Sequence, residues 1–215
     1  TFTVQLSDQF GSFASATNIG SVTSGSGGAI PVSIPTNQTA GTVYRMRVVS
    51  SNPVITGNQT GNLTINSPGL NAPTGLSTQC AGATFNITNN LTGCSFFPGN
   101  TFTVQLSDAS GSFASPVSIS AAVSATTGGA ISVTLPLTLP TSAAYRIQVV
   151  GTNPSITSTQ SAAFTINGFG LNAPTITGGS TSFCQGQNIS IAFTLANNCG
   201  FPNTPSANIF RAQLS

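Results

Sequence analysis

Only 3% of the 215 residues are charged, against about 25% in an ordinary globular domain. The ionisable set is Asp8, Asp108, Arg45, Arg47, Arg146 and Arg211 with two tyrosines and four cysteines, and the chain has no His, Glu, Lys or Trp. That inventory excludes a Ser–His or Cys–His nucleophile and leaves almost nothing for general acid–base work, so we expect no enzyme.

In chain order, residues 1–14 read TFTVQLSDQFGSFA and residues 101–114 read TFTVQLSDASGSFA. Tyr44-Arg45 recurs as Tyr145-Arg146, Asn52-Pro53 as Asn153-Pro154, and Gly69-Leu70-Asn71-Ala72-Pro73-Thr74 as Gly170-Leu171-Asn172-Ala173-Pro174-Thr175. A third copy starts near the end, where Phe210 to Ser215 echoes Phe102 to Ser107. A period of about 100 residues is far longer than a solenoid unit, so each copy reads as a domain. The division expected is 1–68, the C-terminal part of a repeat; 69–168, a complete repeat; and 169–215, the N-terminal part of the next. The Leu-Asn-Ala-Pro element is the joint, stiffened by proline. Two explanations fit the partial copies: a window on a longer array, or strand exchange in which residues 172–215 of one molecule complete the open sandwich of the next.

Within the complete repeat the expected strands are 74–79, 83–89, 101–107, 112–120, 129–135, 144–151 and 161–167. Phe102, Val104 and Leu106 alternate with Thr103, Gln105 and Ser107, and Tyr145, Ile147 and Val149 with Arg146 and Gln148. Ser110-Gly111, Thr127-Gly128-Gly129 and Asn153-Pro154 mark turns. No window has a helical period. The fold class expected is therefore all-β, with tandem immunoglobulin-like β-sandwich domains of about seven strands arranged head to tail. Tyr44 and Tyr145 then fall near the start of the sixth strand, either as a tyrosine corner or as plain core residues.

Cys80 and Cys94 lie in one repeat and Cys184 and Cys199 at matching places in the next. Two per repeat suggests one disulfide per domain and an oxidising compartment. Free thiols and pairing between neighbouring domains are the alternatives. Asp8 with Arg45 recurs as Asp108 with Arg146, which reads as a structural ion pair fixing a loop. The other reading is a polar spot for a glycan, with Gln5, Arg45 and Arg47 facing outward. Asn37, Asn58, Asn62, Asn86, Asn90 and Asn188 begin Asn-x-Ser/Thr sequences, which are glycosylation acceptors only in a cell with that machinery.

Neither zinc-type nor calcium-type ligand clusters occur, so no metal and no cofactor are expected. Four dispersed arginines make no stripe for nucleic acid. No run of about 20 apolar residues exists to span a membrane. No signal peptide is visible, and targeting signals are expected elsewhere in a longer precursor.

The motif set resembles a known repeat. Its marks are Cys80-Ala81-Gly82, the run from Gly99 to Asp108, Gly111-Ser112-Phe113-Ala114, the run from Tyr44 to Pro53, and Asn62-Leu63-Thr64-Ile65. Together they are similar to the Ig-like repeats of very large Bacteroidota surface proteins, including gliding-motility-type adhesins. The resemblance covers nearly the whole chain and implies export by the type IX system, with a sorting domain at the far C-terminus. The third copy departs from the pattern at Ala207-Asn208-Ile209-Phe210-Arg211-Ala212, and its stretch after Cys184 is longer. The implied function is a structural stalk or filament of a secreted cell-surface adhesin, holding an adhesive tip away from the cell. Its expected partners are neighbouring repeats. A glycan- or surface-binding module facing extracellular polysaccharide, and an accessory region of a secreted hydrolase, are the alternatives.

Overall fold

A computed structural model describes residues 1–197, 199–201 and 209–214. Every regular element in it is a β-strand. No helix among the described residues is long and apolar enough to cross a membrane. The chain forms two compact units, Thr1–Pro68 and Gly69–Ser215.

The first unit holds β1 (Phe2–Leu6), β2 (Thr17–Val22), β3 (Gly41–Tyr44), β4 (Met46–Ser51), β5 (Val54–Thr56) and β6 (Leu63–Ile65). One sheet runs β2-β1-β4-β5, and β3 pairs with β6. The inward residues of β1, Val4 and Leu6, meet Ile19 and Tyr44 in a small core.

After β7 (Pro68–Leu70), at the boundary of the units in sequence, come β8 (Gln79–Cys80), β9 (Thr84–Asn89), β10 (Leu91–Gly93) and β11 (Thr101–Leu106). They are followed by β12 (Val117–Ser118), β13 (Val123–Ser124), β14 (Gly129–Thr134), β15 (Ser142–Tyr145), β16 (Ile147–Thr152), β17 (Ser155–Thr157) and β18 (Phe164–Asn167). One sheet runs β12-β11-β16-β17 with β13 also on β11; β14 pairs β9, β15-β18-β8 form a third sheet, and β10 pairs β7. Inward residues of β9, β11, β14, β15, β16 and β18 share one large core, an arrangement consistent with a β-sandwich. Each fully buried Leu, Ile or Val there contributes roughly 1.5–3 kcal/mol. Phe96 stands edge-on to Phe102 at 5.0 Å between ring centres. Gly151 leaves room for it, since a Cβ there would meet the Phe96 ring.

Three expected strands come out differently: of the run 74–79 only Thr74, in an isolated bridge to Thr88, and Gln79, at the start of β8, are paired. The run 144–151 is broken at Arg146, so Tyr145 pairs toward β18 while Ile147 onward pairs with β11. The break has a cause: the Ser107 amide donates to the Arg146 carbonyl at 2.9 Å, and the Arg146 amide donates to Ser107 Oγ at 2.9 Å. Ser7 clamps Arg45 in the same way. The run 112–120 is a strand only at β12, because its start is committed to the turn after Asp108.

The two copies of one segment fold differently. Residues 129–134 are β14, laid antiparallel against β9 from Gly129–Asn89 to Thr134–Thr84. The matching residues 28–33 belong to no strand. Ile131, Val133 and Leu135 are 3%, 1% and 2% exposed, whereas Val32 and Ile34 are 43% and 39% exposed. The first unit has no counterpart of β9 in its sequence. A pocket of the first unit is lined by Phe2, Val22, Ala29, Ile30 and Val48.

Downstream of β18, β19 (Thr175–Ile176) pairs with β20 (Ile191–Ala192), and Leu171 bridges Leu195. Ile209 to Leu214 form no strand. Ala207 and Asn208 of the third copy's divergent run lie outside the described residues, as does Ser215.

Candidate functional site

The joint after β18 is the most highly constructed feature outside the core. Asn172 donates its amide to Thr194 at 3.0 Å and Ala196 donates to Gly170 at 2.8 Å, forming a ribbon that returns toward the end of β18. Asn197 turns the chain with φ of 61°, a left-handed conformation that Asn tolerates better than most residues. Its Nδ2 donates to Thr141 Oγ1 at 2.9 Å, and the same oxygen accepts from the Gly168 amide at 2.9 Å. Phe169 stacks on Phe201 at 5.2 Å between ring centres. This docking places Cys199, fully buried, against Cys80 at the end of β8.

Cys80 and Cys199 form a disulfide with Cα atoms 5.7 Å apart and 119 residues between them in sequence. The expected bond within each repeat, Cys80 with Cys94 and Cys184 with Cys199, is therefore corrected to one joining the complete repeat to the segment after it. β8 lies parallel to β18 at Asn167–Cys80, and the returning loop lies over the same strand end. The β9 strand carries residues 84–89 away from Cys80 before Cys94 is reached. Cys94 and Cys184 are exposed.

The expected ion pairs also need correction. Asp108 Oδ1 accepts from the Ser112 amide at 2.8 Å, the Ser110 amide at 2.9 Å and Ser110 Oγ at 2.7 Å. The carboxylate closes its own loop, and these hydrogen bonds, Ser112's foremost, hold its pKa below the ordinary value. Asp8 repeats the arrangement with the amides of Phe10 and Ser12. Arg146 instead donates Nη1 to the Ser161 carbonyl at 3.0 Å, and Arg45 donates Nε to Asn62 Oδ1 at 3.1 Å. Short-range amides outcompete a flexible guanidinium for the carboxylate.

Of the outward set considered for a glycan, Gln5 Oε1 accepts from Arg47 Nε at 2.9 Å, and the Arg47 guanidinium lies over the Phe13 ring at 4.3 Å. These side chains satisfy one another. Tyr145 Oη donates to the Pro140 carbonyl at 3.0 Å and Tyr44 Oη to Thr39 at 2.8 Å, each five residues upstream. Burial, then the charge of Asp108, raises the Tyr145 pKa. Among the described residues no group of three His, Cys, Asp or Glu side chains could hold a metal ion.

Thr141 and Asn197 escaped the sequence reading, and Ser107, expected to face water with Thr103 and Gln105, is buried. Ser107 had a signal, its recurrence as Ser7 directly before an aspartate; the other two had none. Comparison with protein-family models, with characterised proteins and with solved structures finds no match to this chain.

Proposed function

We propose that the chain is a stretch of tandem immunoglobulin-like repeats that serves as a structural stalk in a large extracellular surface adhesin. The repeat units are 1–68, 69–168 and 169–215 as read from the sequence, joined head to tail. The observation that carries the reading is the Cys80–Cys199 bond, which ties a complete repeat to the segment that follows it. A stalk under tension needs its joints held, and a covalent joint resists force and proteolysis. An intramolecular disulfide also fits an oxidising, extracellular compartment. The paired tyrosine hydrogen bonds to backbone five residues upstream support the immunoglobulin-like assignment. A near-neutral surface permits close packing of units without long-range repulsion. The resemblance to Bacteroidota gliding-motility-type adhesins supplies the cellular setting, and the reading assigns no catalytic chemistry to this region.

Electron microscopy of the parent protein tests it: thin fibres with a repeat of one domain are expected, and compact globular particles would overturn it. A second reading, strand exchange, is favoured by the uncovered face at Val32 and Ile34. In that case a segment resembling 169–215 from a neighbour supplies the missing layer. Direct glycan binding is opposed by the mutual pairing of Gln5 and Arg47, and an empty glycan array is expected.

A further inference from the structure

We propose that the Cys80–Cys199 bond is a length lock: it carries tension past residues 81–198, so the core of the complete repeat bears load only when the bond is reduced. The use of such a lock under tension rests on the stalk reading, while the bypass itself rests on the pairing alone.

A bond between two side chains gives a pull along the chain a second and shorter route. Tension arriving along residues 69–79 reaches Cys80 and crosses through the two sulfur atoms to Cys199, which is 119 residues further along the chain. The bypassed interval holds β9, β11, β14, β16 and β18, whose inward residues build the large core, and the ribbon of β19 and β20. The pairing expected from the sequence would do little of this. Cys80 with Cys94 and Cys184 with Cys199 would each close a loop of only about 15 residues. The strands from β11 to β18 would then stay in line with the pull.

The bond stands where the fold has least to resist with. β8 and β18 are parallel and meet over two residue pairs, Gln79 with Ile166 and Cys80 with Asn167. A pull on the leading end of β8 and the trailing end of β18 slides one strand along the other. Two pairs leave few hydrogen bonds to share that shear. The Ala81 amide donates to the Asn167 carbonyl at 2.8 Å, and Cys199 Sγ lies 3.7 Å from the same oxygen. Entry, exit and staple therefore share one point of the repeat. Forced unfolding is set by how fast a fold opens, and the covalent bond takes that step away from the short clamp. Cys199 is fully buried, which keeps its sulfur away from attacking thiolates.

The test is single-molecule extension of the whole 215-residue chain, gripped at its two ends in an optical trap. Thr1–Pro68 contains no cysteine and lengthens in either redox state, which provides the internal comparison. At about 3.3–3.6 Å per extended residue, the oxidised chain should reach a contour length of about 330 Å and the reduced chain about 740 Å. Held at constant tension while a phosphine is added, each molecule should lengthen by about 410 Å. The phosphine gives two electrons to the sulfur–sulfur bond and leaves as its oxide with the oxygen of one water, whose two protons complete the two thiols. An oxidised length of about 640 Å, the value for bonds closed within each repeat, would overturn the lock. An oxidised length equal to the reduced one would overturn it as well. Either failure leaves the fibre test of the stalk standing, and globular particles in that test would leave the measured step standing.

Discussion

Reducing the Cys80–Cys199 bond is the most informative perturbation, because its size depends on which cysteines are joined. The bond closes a loop across 119 residues. In the chain-entropy relation that constraint is worth about 4.9 kcal/mol, against about 3 kcal/mol for a loop of about 15 residues closed inside one repeat. At about 2.1 cal/mol/K of unfolding entropy per residue over the unit Gly69–Ser215, the melting temperature should fall by about 15 °C. The measurement is calorimetric melting with and without a phosphine reductant. Cys184→Ser should change oxidised stability by no more than about 0.5 kcal/mol, as expected of an exposed position. A drop on reduction below about 5 °C, or a large loss from Cys184→Ser, would refute the reasoning.

Five further outcomes follow from four single residues. Tyr145→Phe removes the hydrogen bond to Pro140 and should cost about 1 kcal/mol in urea unfolding. Because burial raises the Tyr145 pKa, the folded state keeps that proton longer than the unfolded state; stability should be intact below about pH 10 and fall above it, and Tyr145→Phe should flatten that alkaline slope. The Asp108 pKa is lowered, so its contribution is present above the unfolded carboxylate pKa and lost as pH falls through the folded one; Asp108→Asn should remove that acid-side slope in melts from pH 6 to pH 2, both values being approximate. Gly151→Ala should cost about 1–3 kcal/mol by pressing on Phe96. Asn89 is buried with neither amide atom hydrogen-bonded, and Asn89→Leu should therefore stabilise by about 1–2 kcal/mol, read as a higher urea midpoint.

Where alternation was strict the sequence was a sufficient guide. Phe102, Val104, Leu106, Ile147 and Val149 are buried, because β11 and β16 are adjacent strands in the middle of one sheet and their pattern has a single outcome. The break at Arg146 was hidden, since an inward–outward alternation continues through a residue where the strand changes sheets; only the Ser107 clamp discloses it. The Asp–Arg coincidence misled because co-recurrence in repeats reports a shared fold, whereas the nearest donors to a loop carboxylate are its own turn's amides. Cysteine pairing was hidden for another reason. Spacing counts residues along the chain, and the bond depends on a loop returning across the end of β18, held by Asn197 and Thr141, groups with no conspicuous chemistry of their own.

The segment 28–34 shows how far local sequence can be overruled. Gly28-Ala29-Ile30-Pro31-Val32-Ser33-Ile34 and Gly129-Ala130-Ile131-Ser132-Val133-Thr134-Leu135 carry the same apolar alternation, yet only the second is a strand. Pro31 removes one amide donor, which blunts the edge without barring a partner. The larger difference is β9, whose Phe85, Ile87 and Asn89 lie directly across from Val133, Ile131 and Gly129. Taking Val32 and Ile34 from 43% and 39% exposure to the burial of Val133 and Leu135 would contribute roughly 0.6–1.2 kcal/mol for each side chain, about two-fifths of full burial. That gain is available to any antiparallel segment with the β9 alternation. Ile189-Ser190-Ile191-Ala192-Phe193 has it, with Ile189, Ile191 and Phe193 all exposed. The face at Val32 and Ile34 and the segment Ile189–Phe193 thus share the period and the apolar chemistry of a β14–β9 pair.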